Sequence, residues 1–281
     1  MKQKNTNFKG YWDLIKQIII ESDIVLEILD ARFIELSRNK EVEKLIKEMD
    51  RPVIFVINKS DLVSKKRLKN QIKKLDKDID LVFLSTKDNN SMKILLYKIK
   101  KTFKKYGKRE ISDEQDEFLT KYVRKIKGGI VVGILGYPNV GKSSIINALC
   151  HKKKVLVSKK AGTTHGIHWI RATEEIKFID SPGVIPLEKK EEIKDALINA
   201  RNKEKLKDPR LVVYEIIKLF LKINKKSFED FYKIKITNKN LDKIIKDIAI
   251  KKGYLLKQGK PDENRAYMTI IKNWQDSKIR L

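Results

Sequence analysis

Eight consecutive residues near the middle of the chain, Gly136-Tyr137-Pro138-Asn139-Val140-Gly141-Lys142-Ser143, have the types and spacing to hold a phosphate. Glycines at either end let backbone N–H groups curl inward around an anion, and Lys142 brings positive charge to the β- and γ-phosphates of a nucleotide. Ser143 offers a hydroxyl to magnesium, while Val140, Gly141 and Ser144 contribute to the same cradle. The apolar run GIVVGIL precedes these residues and SSIINALC follows. That context is strand, loop, helix, and the helix N-terminus adds its dipole to the anion site. A chance glycine-rich turn is the bland alternative, and correct flanks on both sides argue against it. Cys150, on the same helical stretch, reads as a packed thiol.

Four further motifs extend this chemistry. Asp180 closes the segment EIKFID, and Ser181-Pro182-Gly183 follows. A carboxylate there can hold a magnesium-bound water, and the Gly183 N–H can reach a γ-phosphate. Between the loop and Asp180 lies Ala161-Gly162-Thr163-Thr164-His165, where Thr164 is expected to complete the magnesium shell and Thr163 competes for that role. Lys142, Thr164 and Gly183 are the expected catalytic groups. Much earlier, Asn58-Lys59-Ser60-Asp61 follows the apolar run PVIFVI. This NKxD pattern selects guanine: the Asp61 carboxylate accepts from N1–H and the 2-amino group, which adenine lacks at those positions. Asn58 can bond N7 and the neighbouring loop, and the Lys59 stem can lie along the purine. Ser85-Thr86-Lys87 resembles the companion motif in which a backbone N–H meets guanine O6. A wrong base would leave buried polar groups unpaired, so GTP and GDP are the expected ligands.

The elements that must position these residues follow from hydropathy. Short runs rich in Ile and Val at residues 23–30, 52–58, 80–85, 129–136 and 175–180 predict strands, with shorter ones at 155–158 and 169–172. Amphipathic stretches such as 41–49 and 65–75 lie between them, the pattern of a mostly parallel sheet covered by helices. Residues 104–127 carry almost no strand signal and join two sheet-forming halves. Beyond about residue 208 only helical spacing remains: Val212, Ile216, Leu219 and Phe220, then Leu241, Ile244, Ile245 and Ile248. Pro261-Asp262-Glu263 reads as a helix start, with Tyr267, Ile271 and Trp274 on one face. The expected fold is α/β, with a nucleotide domain over residues 1–207 and a small all-helical domain over 208–281.

The motif order is unusual, because the base-reading motif precedes the phosphate loop. Joining the old termini at 104–127 and opening the chain elsewhere leaves a parallel sheet intact. With this order, NKSD, STK, GYPNVGKSS, GTTH and DSPG, the sequence resembles the circularly permuted GTPases of the YlqF/RbgA family and their nucleolar relatives. The stretch SDIVLEILDARFIELSRN, including Asp30-Ala31-Arg32, and the stretch KQGKPDENRAYMTIIKNWQ resemble that family too. The resemblance implies a Ras-like P-loop GTPase domain with permuted motifs, a helical RNA-contacting domain, and a role in assembling the large ribosomal subunit. It also implies a potassium ion held partly by Asn139, against which loop capping by Asn139 stands as the alternative. Val184 occupies the place where Ras-type enzymes keep a glutamine that orients water. Gly10-Tyr11 matches the place of a family Gly-His motif, and a phenol is a poor base at neutral pH. His165 and His168 flank the first switch, where packing or solvation is the simpler role. Slow intrinsic hydrolysis, rising on the ribosomal particle, is therefore expected. The alternative is a GTP-gated RNA-binding module whose hydrolysis is incidental.

Composition agrees with a polyanionic partner. The formal charge is +27, divided as +11 over residues 1–127, +5 over 128–186 and +11 over 187–281, so the excess is not confined to one arm. A lysine-rich proteome is the alternative source. Lys251, Lys252, Lys257, Lys260 and Arg265 are the candidate RNA-phosphate contacts. The single cysteine excludes an internal disulfide framework and a multi-cysteine zinc site. No apolar run is long enough to span a bilayer and no lipidation motif is present, so a soluble, cytoplasmic monomer with no membrane partner is expected.

Overall fold

The computed structural model describes residues 3–75, 79–107, 129–150, 168–180, 192–198, 204 and 206–281. They fall into two compact units, Met1–Ser60 with Leu68–Pro186, and Asp61–Arg67 with Leu187–Leu281. The short strand expected at 155–158, most of the joint at 104–127, and Thr163, Thr164, His165, Gly183 and Val184 lie outside the described residues.

In the first unit, β1 (Ile24–Asp30), β2 (Val53–Asn58), β3 (Leu81–Phe83), β4 (Ile130–Leu135), β5 (His168–Arg171) and β6 (Ile176–Asp180) form one sheet. Its order is β3-β2-β1-β4-β6-β5. Every pairing is parallel except that of β5 with β6. β1 and β4 are buried at every position, which is why both read as continuous apolar runs. The chain builds outward from β1 to β2 and β3, then returns to place β4 on the other side of β1. The carboxyl ends of β1 and β4 therefore flank a topological switch point, the place where open α/β sheets bind ligands.

A helix that sequence spacing did not announce, α1 (Gln3–Glu21), covers this sheet. Its first half is polar and includes Gly10, and its apolar residues crowd into the second half. Leu14, Ile15, Ile18 and Ile19 pack there with Val25, Val131, Leu135 and Ile179 of the strands and with Val42 and Ile46 of α3 (Lys40–Glu48). Asn39 caps α3 by accepting from the Glu41 and Val42 amides at 3.1 and 3.0 Å. The remaining helices before residue 150 are α2 (Ile34–Ser37), α4 (Lys65–Ile72), whose first three residues fall in the second unit, α5 (Asn89–Tyr106) and α6 (Lys142–Leu149). α5 is capped by Asp88, buries Met92, Leu95 and Ile99, and stops at Gly107, whose φ of +78° suits glycine. The expected joint thus begins inside the last turn of a helix.

The second unit is helical: α7 (Glu192–Leu197), α8 (Pro209–Ile223), α9 (Lys225–Tyr232), α10 (Leu241–Lys251) and α11 (Glu263–Gln275). Asp208, Asn240 and Asp262 cap α8, α10 and α11 through their side chains. The helical spacing holds, since Val212, Ile216, Phe220, Ile244, Ile245 and Ile248 are all buried. An aromatic cluster centres the core. Phe220 lies 5.1 Å from Phe228 and meets Trp274 edge-on at 5.9 Å, and the Trp274 indole donates to the Leu197 carbonyl at 2.9 Å. The Leu281 amide donates to the Leu62 carbonyl at 2.9 Å. Among the described residues no helix is long and apolar enough to cross a membrane.

Candidate nucleotide-binding site

The two distant motifs meet. Asn58, at the end of β2, is almost completely buried, and its Nδ2 donates to the Val140 carbonyl of the phosphate loop at 2.8 Å. Lys59 follows in a left-handed conformation (φ +60°), and its Nζ donates to the Asn139 carbonyl at 2.8 Å. Ser60 then reaches sideways: its amide and hydroxyl both donate to the Leu84 carbonyl, at 3.1 and 3.0 Å, one residue before Ser85-Thr86-Lys87. Three loops at the carboxyl ends of β2, β3 and β4 are thereby joined. Asp61 opens the 3₁₀ turn Ser60–Leu62 immediately afterwards.

Local chemistry fixes each loop. Gly136 has φ +145° and Gly141 φ +105°, both in the region that favours glycine. An alanine Cβ at Gly136 would lie 2.7 Å from the Ile28 carbonyl oxygen, so the loop can leave β4 at this angle only without a side chain. At Gly141 a Cβ would overlap Asn58 Nδ2 outright. Gly141 also caps α6, where Ser143 and Ser144 are exposed at the helix start. Ser85 is buried: its amide donates to Ser91 Oγ at 3.2 Å, and Ser91 Oγ donates back to the Ser85 carbonyl at 3.0 Å. Thr86 is half-buried and Lys87 exposed.

Lys142 is buried, and its Nζ donates to the loop's own Gly136 and Tyr137 carbonyls at 2.7 and 2.8 Å. Burial pushes the ammonium down to about 8, against the pull of Asp180. A nucleotide phosphate offers this cation a stronger partner than two carbonyls do. Asp180 ends β6 in register with Ile134 of β4, so its carboxylate stands beside the strand that launches the phosphate loop. The Asn58 Oδ1 is buried and accepts no hydrogen bond.

Sequence reasoning assigned no role to one component. Asp30, at the end of β1, accepts from the Arg32 amide, Nε and Nη2 at 3.0, 2.9 and 2.7 Å and from Lys59 Nζ at 2.9 Å. Asp30 and Arg32 are both fully buried. Burial alone would raise the Asp30 carboxyl, but Arg32 and then Lys59 outweigh it and hold it well below the usual carboxylate range.

The sequence matches the 50S ribosome-binding GTPase family over residues 131–252. A protein of Methanocaldococcus jannaschii described as GTP-binding is 35% identical over 95% of this chain and 65% of its own length. The nuclear GTP-binding protein NUG1 of Saccharomyces cerevisiae is 30% identical over 96% of this chain and 55% of its own. A solved structure of GNP-bound YlqF from T. maritima superposes with a TM-score of 0.61 at 22% identity, covering 96% of both chains. The chain thus carries a GTPase-family segment and has the fold of YlqF, with its Asn58-Lys59-Ser60-Asp61 motif ahead of its phosphate loop. It spans about half to two thirds of the length of the curated relatives it matches.

Magnesium takes hard oxygen donors. The exposed Ser143 hydroxyl at the start of α6 and the Asp180 carboxylate on the neighbouring strand end are of that kind. Asn139, the potassium candidate, is exposed with φ +60°, and its carbonyl already accepts from Lys59. Among the described residues no cluster of three or more His, Cys, Asp or Glu side chains could hold another metal. Gly10 and Tyr11 lie within α1, and His168 begins β5. The RNA candidates Lys251, Lys252, Lys257, Lys260 and Arg265 are all exposed. They cluster along the end of α10, the following loop and the start of α11, where the Arg265 guanidinium sits 4.5 Å above the Tyr254 ring.

Proposed function

We propose that this chain binds GTP and GDP and hydrolyses GTP as a cytoplasmic factor in large ribosomal subunit assembly. The observation that carries the reading is the pair of bonds from Asn58 and Lys59 to Val140 and Asn139, which joins a base-reading loop to a phosphate loop in permuted order. In this reading Asp61 reads the guanine edge, Asn58 and Lys59 frame the purine, and the backbone at Ser85, Thr86 and Lys87 closes over its O6 side. Val140, Gly141, Lys142 and Ser144 hold the phosphates, and Gly183 senses the γ-phosphate. Ser143, Thr164 and Asp180 hold the magnesium ion, which when bound neutralises charge on the β- and γ-phosphate oxygens. Lys142 leaves its two loop carbonyls for the phosphates and stabilises charge there in the transition state.

Val184 offers no group to orient water, so turnover by the isolated protein is slow and rises on the ribosomal particle. Asn139 supplies part of a potassium site that compensates for this lack. Residues 208–281 supply the RNA-contacting surface, consistent with five exposed cations grouped around one loop. The test is phosphate release with and without large subunits, in potassium and in sodium, beside co-sedimentation with immature particles in a non-hydrolysable GTP analogue. Acceleration by the particle and nucleotide-dependent co-sedimentation are expected. Equal affinity for ATP and GTP would overturn the whole reading. Nucleotide-dependent particle binding without accelerated release would favour the second reading, a GTP-gated RNA-binding module, which Val184 also suits.

A further inference from the structure

Lys59 has a specific task and a side chain poorly suited to it. A lysine ammonium is a point charge on a flexible four-carbon stem, so its direction is set by the groups it meets. Two oxygens fix it here, the Asn139 carbonyl and Asp30 Oδ2. The first belongs to the phosphate loop, which must rearrange around a ligand when Lys142 lets go of Gly136 and Tyr137. The second belongs to the end of a central strand, at the switch point of the sheet.

Asp30 is itself over-determined. Three donors from Arg32 hold its carboxylate, and its own amide donates to Ser37 Oγ at 3.0 Å. The corner beyond is latched by Gln71, whose Nε2 donates to the Ala31 carbonyl at 2.8 Å and whose Oε1 accepts from the Ile34 amide at 3.1 Å. A buried carboxylate between two cations is a costly way to stabilise a fold, since apolar side chains of similar size commonly do as well. What charge adds is direction.

We propose that Asp30, backed by Arg32, is a positioning residue of the guanine-nucleotide site. It fixes the Lys59 ammonium and so staples the base-reading loop to Asn139 in the geometry that receives the purine. This rests on the functional reading above. Removing the Asp30 charge frees the Lys59 stem and lowers affinity for any purine nucleotide, while discrimination by Asp61 between guanine and hypoxanthine stays as it was.

The test is a double-mutant cycle in the full chain with Asp30→Asn, Lys59→Met and both together, titrated with a fluorescent GDP analogue and with IDP in magnesium buffer. Asp30→Asn is expected to weaken GDP binding about 10- to 100-fold, the worth of a hydrogen bond to a charged group. In the Lys59→Met background the same change should cost less than about threefold, because its target is gone. The GDP-to-IDP ratio should hold throughout. Urea unfolding of each variant separates affinity from stability. If Asp30→Asn does not fold, the cycle is run with Asp30→Glu, which keeps the charge but displaces it. Multiplicative losses in the double variant, or Asp30→Asn binding GDP within about twofold of the parent, would overturn the positioning role. A parent chain that fails to bind GDP would overturn the functional reading instead.

Discussion

Replacing Gly141 by alanine puts the meeting of the two motifs under direct strain. The residue sits at φ +105°, where a side chain costs roughly 1–3 kcal/mol. The new Cβ would overlap Asn58 Nδ2, with Asn58 Cγ only 3.5 Å away. Asn58 must therefore swing aside and give up its 2.8 Å bond to the Val140 carbonyl, leaving buried polar groups unpaired at a cost of roughly 1–3 kcal/mol. Together these come to roughly 2–6 kcal/mol. Without nucleotide the loop can relax and shed part of that strain. With phosphates bound, Gly141 and Asn58 are both held in place, so the strain falls on the complex. At roughly 2 kcal/mol, GDP binding weakens about 30-fold; at the upper end it vanishes from most titrations. Fluorescent-GDP titration in magnesium buffer, paired with urea unfolding, measures both shares. Adding Asn58→Ala removes the overlap, so the double variant should lose less than the product of the single losses. Gly141→Ala binding GDP within about threefold of the parent would refute the argument.

Three other substitutions address separate claims. Asp61→Asn exchanges an acceptor for an amide donor, so GDP affinity should fall roughly 100-fold and XDP, with an oxygen at C2, should become the better ligand; unchanged preference in a titration of both would remove Asp61 from base reading. Glu27, mid-strand in β1, is fully buried, with Oε1 accepting from the Asn39 amide and Oε2 unpartnered. Burial, helped by Glu43 and opposed by the Asn39 amide, Arg38 and Lys40, pushes its carboxyl up to about 8. The folded protein then keeps a proton that the unfolded chain loses above about pH 4.5, so this group's stabilisation is complete below that pH and is lost progressively up to about 8, by as much as roughly 5 kcal/mol. Glu27→Gln should match the parent in urea unfolding near pH 5 and exceed it near pH 8, and a constant difference across that window would refute the assignment. Finally, Lys257→Ala and Lys260→Ala should each lower the slope of log affinity against log salt for ribosomal RNA by about one, whereas an unaltered slope would place RNA on another face.

What could be read from the sequence was whatever is written locally. A strand such as Val53–Asn58 is an apolar run bounded by a proline and a polar loop, and the phosphate loop carries its own flanks. The helices of the second unit show their spacing and caps in a single turn each. The α1 helix was not legible, because a glycine and a polar first half dilute a period that only its last two turns display. The Asp30–Lys59 pair was hidden for another reason. The residues are 29 apart, and they meet because β1 and β2 pair with Asp30 opposite Asn58. A one-residue slip in that register would have parted them, and no local pattern records it. Ser60 finding Leu84, and Glu27 being sealed from water, depend in the same way on strand neighbours that only the folded sheet supplies.

The sheet order has a consequence for how this protein is made. Ile24 to Glu27 of β1 pair on one side with β4, whose residues 132–135 leave the ribosome more than a hundred residues later. Until then the nascent chain carries β1, β2 and β3 with an open central edge, lined by apolar residues and competent to pair with any extended strand nearby. Synthesis through β4 closes that gap from within the sheet instead of adding to its rim. A chain wired in this order is thus most in need of chaperone cover midway through its own translation.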